Sequence, residues 1–390
     1  MAKPNFILPN KPAIKAGSIL SYNYTDDLKF AAEPLDFSRN GSATRVNEQG
    51  LIETTSANLP RIDCSDSSTE PSLLLEPQST NLIEYSKNFS EWEKRGDTTI
   101  SATNIISPSG HSNATNITGL NGSGGNDLRF YPPGFNSASK TLCFSVYLKG
   151  SGTLRLQMSN GVDQGIQQDI TLTDNWKRHQ ALGNFNSTSS DGFHCNIDDL
   201  DGQTATQYDV WGAQLEQLSY PTSYIPTSGS TATRLGETAD NAGGAGVFNS
   251  EEGVLYAEIA ALADDGTNRR ITLSDGTNEN RVVIGYNTTS NRIFYFINVG
   301  GSTVASGHYT SSDVTQFSKV AVLFKLNDYA LWVDGIKRHT DTSGTIFSAD
   351  TLNSLQFKSP IVTANFFGKT KNLKVFNYAL TDEELQTLTT

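Results

Sequence analysis

The sequence predicts an all-β protein built from two β-sandwich (jelly-roll) domains, and three observations support this fold class. Short segments that alternate apolar and polar residues recur from about residue 140 onward, separated by Gly, Asn and Asp turns. Heptad repeats are absent, and the one convincing helix signal is short. Only 18% of the 390 residues are charged, and uncharged polar residues take their place. At roughly 150 residues per domain, this length suits two or three domains.

Residues 1–80 are expected to form an irregular N-terminal docking segment ahead of the two sandwiches. Their periodicity is weak, and turn signals such as Asn40-Gly41 and Glu76-Pro77 are frequent. The one strongly apolar run, from Ser72 to Glu76, is expected to be a strand that pairs with the following domain.

Residues 81–227 are expected to form the first sandwich, a jelly roll. Strands are predicted over 141–148, 153–158 and 208–216, because each segment has period-2 alternation and ordinary strand length. Residues 228–244, which include Gly243-Gly244, are predicted to be a linker.

Residues 245–390 are expected to form the second sandwich. Strands are predicted over 254–259, 281–286, 292–297, 319–326, 329–333, 336–338 and 372–377. Asn327-Asp328 is expected to make a two-residue hairpin turn, and Asp334-Gly335 a second tight turn. Thr381, with Glu384 three residues later, forms a capping-box pattern that predicts a short final helix.

The charge balance excludes two classes of partner. Lys and Arg total 29 and Asp and Glu total 41, which gives a net charge of −12. Such an acidic chain lacks the positive surface that binds nucleic acid, and no stretch approaches the ~20 apolar residues of a membrane span. We therefore expect no nucleic-acid partner and no membrane insertion. The three cysteines are too few for a disulfide scaffold, so they are expected to be reduced thiols of a protein folded in the cytoplasm.

Several segments resemble a module of bacteriophage virion proteins. The resemblance is carried by residues 35–47, 50–53, 58–63 and 80–83, and by 211–216 followed by 221–227, which is similar to the end of a carbohydrate-binding jelly roll. Residues 329–335 and 375–381 are similar to concanavalin A-like/laminin-G domains. The resemblance implies a virion surface protein of the tail or head fibre type, made in the host bacterial cytoplasm. It implies other virion proteins and a host cell-surface glycan as partners, and a homo-oligomer, with a trimer favoured.

No catalytic residues are predicted. Paired carboxylates on one strand face, as in lectin-like glycosidases, are not found, and no Gly-x-Ser-x-Gly motif is present. We therefore expect a non-catalytic adhesion protein. A polysaccharide depolymerase and a capsid decoration protein without glycan affinity remain as alternatives.

No cofactor is expected, with one qualification for calcium. Asp198, Asp199 and Asp201 concentrate carboxylates beside Gly202, as a calcium loop does. The rest of the calcium-loop pattern is missing, so an acidic surface turn is the competing interpretation.

Aromatic side chains give the remaining functional signal, because sugars stack on exposed rings. Trp92 follows a polar loop, and Arg129 and Tyr131 belong to an aromatic loop before two prolines. These three residues are the candidate carbohydrate-binding residues. Trp211 and Trp332 lie within strand patterns and are expected in the cores, and Trp176 is expected to be packed.

Overall fold

The computed structural model describes most of the chain. The described residues are 3–4, 6–9, 12–15, 18–24, 30–67, 69–162, 164–187, 192–200, 202–244, 246–360 and 364–390. They divide into two compact units. Unit 1 comprises Met1–Ser42, Thr55–Pro77 and Gly236–Thr390, and unit 2 comprises Ala43–Thr54 and Gln78–Leu235. The domain boundaries drawn from the sequence at 80, 227 and 244 stay a prediction.

Almost all of the regular structure in the described residues is β-strand, which confirms the all-β fold class. The exceptions are a 3-10 turn at Phe89–Glu91 and the helix α1, Asp382–Thr389. The strands are β1 Phe6–Leu8, β2 Ala13–Lys15, β3 Ser18–Tyr24, β4 Phe30–Ser38, β5 Ala43–Val46, β6 Ile52–Thr55, β7 Arg61–Asp63, β8 Ser72–Leu75, β9 Ser79–Asn81, β10 Glu93–Arg95, β11 Thr99–Ile106, β12 Ser112–Thr118, β13 Asp127–Phe130, β14 Lys140–Gly150, β15 Thr153–Ser159, β16 Gln164–Thr171, β17 Lys177–Phe185, β18 His194–Asp198, β19 Gln207–Glu216, β20 Ala232–Arg234, β21 Thr238–Asp240, β22 Glu252–Ala261, β23 Arg269–Ser274, β24 Arg281–Tyr286, β25 Arg292–Val299, β26 Ser302–Thr310, β27 Ser318–Lys325, β28 Asp328–Val333, β29 Ile336–Asp341, β30 Ser354–Gln356 and β31 Gly368–Phe376.

Unit 1 is a sandwich of two sheets. The larger sheet has the order β21-β4-β3-β1-β31-β22-β27-β28-β29, and the smaller one has the order β26-β25-β24-β23-β30. Their inward side chains, among them Leu255, Val322, Ile284 and Ile297, form one buried cluster. This arrangement follows from the alternation in each strand, which sends every second side chain into the core.

The first 80 residues contribute strands to the larger sheet of unit 1. Strand β1 pairs with β31, with Phe6 opposite Val375, and β8 also pairs with β31, with Leu75 opposite Gly368. The expectation that the run Ser72–Leu75 pairs with the following domain is therefore wrong. It pairs with β7 on one side and on the other with β31, a strand almost 300 residues away, and no local sequence pattern reveals this second pairing.

Two predicted turns and the final helix can be compared with the structure. Lys325 lies directly opposite Asp328, so the first hairpin turn is Leu326-Asn327, one residue earlier than expected. Asn327 takes the positive φ of 57° that this turn needs. The turn at Asp334-Gly335 is confirmed, with φ of 49° and 76°. The capping box is confirmed as well, since Thr381 caps α1 and Glu384 bonds back to it.

Unit 2 is a second sandwich. One sheet has the order β10-β13-β18-β15-β16 and the other has the order β11-β12-β19-β14-β17. Their inward side chains, including Leu128, Leu156, Phe144 and Val210, form a separate buried cluster. Trp211 lies in a smaller cluster with Tyr224 and Ile52, as its strand pattern predicts. The core position expected for Trp332 in unit 1 is also confirmed.

A cluster of four buried charged residues lies within unit 1, and we call it the ion cluster: Arg39, Arg61, Glu76 and Glu237. Glu237 accepts hydrogen bonds from Arg39 Nη1 at 2.6 Å and from Arg61 Nε at 2.9 Å, and Arg61 Nη2 donates to its other oxygen. Arg61 Nη1 lies 2.8 Å from Glu76 Oε2. Two cations and two anions therefore balance one another inside the protein, where an unpaired charge would be costly.

Two sequence expectations concern the chain as a whole. Cys64, Cys143 and Cys195 are all buried, and none of them forms a disulfide. Burial raises the pKa of the Cys143 and Cys195 thiols, which keeps both protonated. Across the described residues, no helix has the length and apolar character needed to cross a membrane.

Candidate functional site

The outward surface of the sheet β10-β13-β18-β15-β16 carries polar side chains in two rows that each cross all five strands. Cross-strand pairing fixes these rows, because residues directly opposite each other point to the same side. We call this surface the polar face. The first row is Arg95, Asp127, Asp198, Arg155 and Asp169, and the second is Glu93, Arg129, Asn196, Gln157 and Gln167.

Local sequence explains how the polar face forms. In β13, Asp127 and Arg129 alternate with Leu128 and Phe130, which are buried in the core of unit 2. In β18, Asn196 alternates with apolar residues in the same way. Each strand therefore presents a hydrophobic side to the core and a hydrogen-bonding side outward.

Arg129 and Tyr131, two of the predicted sugar-binding residues, meet on this surface. Arg129 forms a two-pronged contact with Asp127, from Nε to Oδ1 at 3.2 Å and from Nη2 to Oδ2 at 2.8 Å. Its third nitrogen donates to the Tyr131 hydroxyl at 3.3 Å. The Tyr131 side chain is 42% exposed. The ion pair thus holds an aromatic ring at the surface, beside a guanidinium.

His194 extends the surface on the other side of Tyr131. The two ring centroids are 5.4 Å apart, with the planes tilted by 47°. His194 Nδ1 donates to the carbonyl of Gly192 at 2.9 Å, which leaves Nε2 as an acceptor in the neutral ring. Burial lowers the pKa of His194, so the neutral form predominates at pH 7.

The middle of the polar face is buried. Asn196 Nδ2 donates to Asp198 Oδ2 at 2.8 Å and to Gln157 Oε1 at 3.3 Å, while Asn196 Oδ1 has no hydrogen-bond partner. Burial raises the pKa of Asp198 to about 6, and the charge of Asp127 adds to this effect, although a bond from the Leu200 amide opposes it. The buried middle of the polar face therefore holds an amide oxygen without a partner among the described residues and a carboxyl group whose pKa is raised to about 6.

The raised pKa of Asp198 predicts a specific pH dependence of stability. The folded pKa of about 6 exceeds the unfolded value near 3.9, so between these values the folded state holds a proton that the unfolded state has lost. The Asp198 contribution to the free energy of unfolding should therefore fall, by on the order of 2 kcal/mol, as pH rises from about 4 to 6. Urea unfolding of wild type and Asp198→Asn over this range checks it. The difference in the free energy of unfolding between wild type and Asp198→Asn should change with pH. A constant difference would contradict the raised pKa of Asp198.

Trp92, the third predicted sugar-binding residue, is not on the polar face. Its side chain is only 1% exposed and packs between Phe89 and Phe130, at centroid distances of 5.2 and 5.3 Å. Its indole N–H donates to the Tyr85 carbonyl at 3.1 Å. The ring has no free side for a sugar, because the 3-10 turn at Phe89–Glu91 directs it into the core.

The predicted calcium ligands are occupied by other contacts. Asp199 accepts hydrogen bonds from the amides of Asn121 and Gly122 and from both nitrogens of Asn126. Burial acts to raise its pKa, but these donors hold the pKa below its usual range. Asp201 lies outside the described residues. Within the described part of the chain, no three acidic, His or Cys side chains are grouped as a metal site requires. Calcium binding stays a prediction.

A separate groove lies in unit 2, beside Trp176. It is a groove of about 370 Å³ whose walls include Tyr147, Trp176, Leu51 and Ile106, together with Lys149. The Trp176 indole N–H donates to the Ile106 carbonyl at 2.9 Å, and the ring is half-buried against the Trp211 cluster, as expected for a packed residue. The groove is mostly apolar, whereas hydrogen-bonding groups concentrate on the polar face.

Sequence reasoning missed most of the polar face. The sequence pattern does not identify Arg95, Asp127, Arg155 or Asn196 as binding residues, and it predicts Asp198 only as a metal ligand. The available signal was the run of polar residues at every second position in 127–131 and 194–198. That alternation identifies a solvent-facing strand side, but the pairing of distant strands decides which residues become neighbours.

Comparisons with known proteins give only distant similarities. No protein-family model and no curated protein matches the chain. A solved structure of the Ruminococcus gnavus IT-sialidase CBM40 bound to α2,3-sialyllactose covers 39% of this chain and 94% of its own, with 16% identity and a TM-score of 0.33.

Two further solved structures cover different shares of the chain. Domain 4 of the arabinanase AbnA from Geobacillus stearothermophilus, in complex with arabinotriose, covers 43% of this chain and 81% of its own, with 10% identity and a TM-score of 0.33. The mouse laminin α1 domains LG4-5 cover 67% and 89%, with 12% identity and a TM-score of 0.27. At these values the similarities identify neither a family nor a ligand for this protein.

Proposed function

We propose that this protein is a non-catalytic glycan-binding protein and that the polar face holds the sugar. The observation that carries the proposal is the grouping of Arg129, His194 and the exposed Tyr131 ring at one side of two polar rows. A sugar can stack its C–H surface on such a ring while its hydroxyls bond to guanidinium, amide and carboxylate groups. The fixed guanidinium of Arg129 supplies such a group.

We further propose that the protein acts on a bacteriophage virion as a tail or head fibre component that attaches to host glycans. This part is supported by the resemblance of residues 35–47 and 211–227 to virion proteins. Imaging of purified virions with tagged protein tests it, and absence of the tag from the particle would contradict it. A homotrimer is the proposed assembly state, and a single monomer mass in light scattering would contradict that.

Replacing Tyr131 with alanine is expected to weaken binding of a host-surface oligosaccharide at least about tenfold, because the substitution removes the stacking ring. A glycan array first selects the ligand for the wild-type protein, and titration calorimetry then compares wild type with Tyr131→Ala. Since the side chain is at the surface, the variant should unfold like the wild type. A blank array with folded protein would instead favour the decoration protein without glycan affinity.

Trp176→Ala is the matched control, because it removes an aromatic ring from the groove in the same unit. We expect this variant to bind the selected glycan as tightly as wild type does. If Trp176→Ala abolishes binding while Tyr131→Ala does not, the groove rather than the polar face is the sugar site.

One observation favours the depolymerase alternative. Asp127 and Asp198 lie directly opposite each other, and one of them has a pKa near 6, a combination seen where a general acid and a carboxylate cooperate. Against this, Asp198 is 1% exposed and Asp127 is buried in contact with Arg129, so neither reaches a glycosidic oxygen. Incubation with host polysaccharides should release no new reducing ends or unsaturated sugars.

A further inference from the structure

The smaller sheet of unit 1, β26-β25-β24-β23-β30, has an outward surface with an unusual charge. Its inward residues, such as Ile271, Val282 and Ile284, belong to the core. The alternate residues point outward, and we call their surface the arginine face. Its members include Arg270, Arg281, Arg292, Phe294 and Phe296. Strand pairing puts Arg270 and Phe294 in one cross-strand row and places Arg281 opposite Asn298, two positions beyond Phe296.

Two guanidinium groups lie on a pair of stacked rings. Phe294 and Phe296 are nearly parallel, with centroids 5.9 Å apart and planes within 14°. The Arg270 guanidinium carbon lies 5.9 and 5.4 Å from these two centroids, and that of Arg281 lies 4.8 Å from Phe296. Cation–π contacts therefore fix the orientation of both groups without using their N–H donors.

Among the described residues, no carboxylate forms an ion pair with the guanidinium of Arg270 or Arg281. Arg281 Nη1 donates only to neutral oxygens, those of Asn278 and Ser359. Arg270 and Arg292, among the described residues, have no hydrogen-bond or ion-pair partner, and the Nε atoms of all three arginines are buried. Every outward strand position of this face is described, and none is Asp or Glu, although the chain has 41 such residues.

Burial without a counter-ion has a recognisable electrostatic cost. Desolvation lowers the pKa of Arg270 and of Arg281, and for Arg281 the positive charge of Arg270 adds to the effect. The neighbouring Thr272 hydroxyl is also buried without a hydrogen-bond partner. Such unsatisfied groups are rare in proteins, and they call for an external partner. An oxyanion supplies both the missing charge and several acceptors, and guanidinium binds it in a two-pronged geometry.

We propose that the arginine face binds the carboxylate or sulfate group of an acidic oligosaccharide. The oxyanion would accept hydrogen bonds from the free N–H groups of Arg270 and Arg281. Neutral hydrogen-bonding residues flank this position in one cross-strand row, with Gln356 on one side and Ser306 on the other, and these suit the hydroxyls of a sugar. The site lies in unit 1 and uses no residue of the polar face.

Titration calorimetry of the full chain tests the proposal with three probes: a tetragalacturonate, its neutral methyl ester, and a sulfated tetrasaccharide. Wild type should bind at least one acidic probe and should not bind the methyl ester. Arg270→Gln and Arg281→Gln should each weaken that binding about tenfold or more, which is the scale of a charge-assisted hydrogen bond. The preferred acidic probe identifies the oxyanion as carboxylate or sulfate ester.

Three control variants make the result decisive. Lys325→Gln removes a cation that already has a carboxylate, Glu252, at 2.8 Å, so acidic-probe binding should not change. Arg270→Lys keeps the charge and the fold but removes the planar guanidinium with its paired N–H donors. We therefore expect a loss of acidic-probe affinity smaller than that of Arg270→Gln. Tyr131→Ala should leave acidic-probe binding intact, which separates this site from the polar face. Equal binding by wild type and Arg270→Gln, or no acidic-probe binding by wild type, would overturn the proposal.

Discussion

Replacing Glu237 with alanine is expected to destabilise unit 1 by about 3–5 kcal/mol. Glu237 accepts hydrogen bonds from both arginines of the ion cluster, and its side chain is fully buried. The substitution removes the carboxylate that binds both guanidiniums, which stay inside the protein. An uncompensated buried charge costs several kcal/mol, because water cannot solvate it there.

Urea unfolding at pH 7 measures this loss, with Glu251→Ala as the matched control. Glu251 is exposed, so removing its carboxylate should change the free energy of unfolding by less than about 0.5 kcal/mol. Glu237→Gln should give an intermediate loss, since the amide keeps an acceptor oxygen but not the charge. If Glu237→Ala and Glu251→Ala were equally stable, the ion cluster would have no energetic role.

Replacing Trp92 with alanine is expected to destabilise unit 2 by about 3–5 kcal/mol. The substitution empties the space between Phe89 and Phe130 and leaves the Tyr85 carbonyl without its indole donor. A cavity in a packed core costs the lost transfer free energy and the lost contacts of the atoms that lined it. Thermal and urea unfolding measure this loss in the free energy of unfolding. Far-ultraviolet circular dichroism is the signal to follow, because it reports the backbone rather than the tryptophans.

Tyr131→Ala is the informative comparison for Trp92→Ala, because the sequence suggested the same role for both aromatic residues. We expect Tyr131→Ala to lower glycan binding without affecting unfolding, and Trp92→Ala to do the opposite at temperatures where the protein stays folded. If a fully folded Trp92→Ala protein lost glycan binding, Trp92 would have a role in sugar binding and not only in the core.

Strand positions could be predicted from the sequence because period-2 alternation is a local property. The segments 208–216 and 281–286 agree with β19 and β24 within one residue. The short hairpin turn was misplaced because Leu326 is apolar and was counted in the strand, although it is 55% exposed. Local composition therefore gives the type of an element more reliably than its last residue.

The functional surfaces were less predictable because they depend on strand register. Asp127 and Asp198 become neighbours through the pairing of β13 with β18, and the sequence between them gives no indication of it. The ion cluster has the same origin, since Arg39 and Glu237 are 198 positions apart. Composition alone counts these charged residues only toward the acidic net charge of the chain and does not show that they lie together. Trp92 is buried, although its polar neighbours suggest a surface loop.

The pairing of β1 with β31 sets an order of events during synthesis. Phe6 and Val375 are opposite each other in the sheet, so β1 cannot find this partner until some 370 further residues have been made. At about 5–20 residues per second, the wait is roughly 20–70 s. The Gln78–Leu235 stretch of unit 2 is complete long before that. During translation, the early strands of unit 1 therefore expose an unpaired edge, and they are the part of the nascent chain most in need of a chaperone.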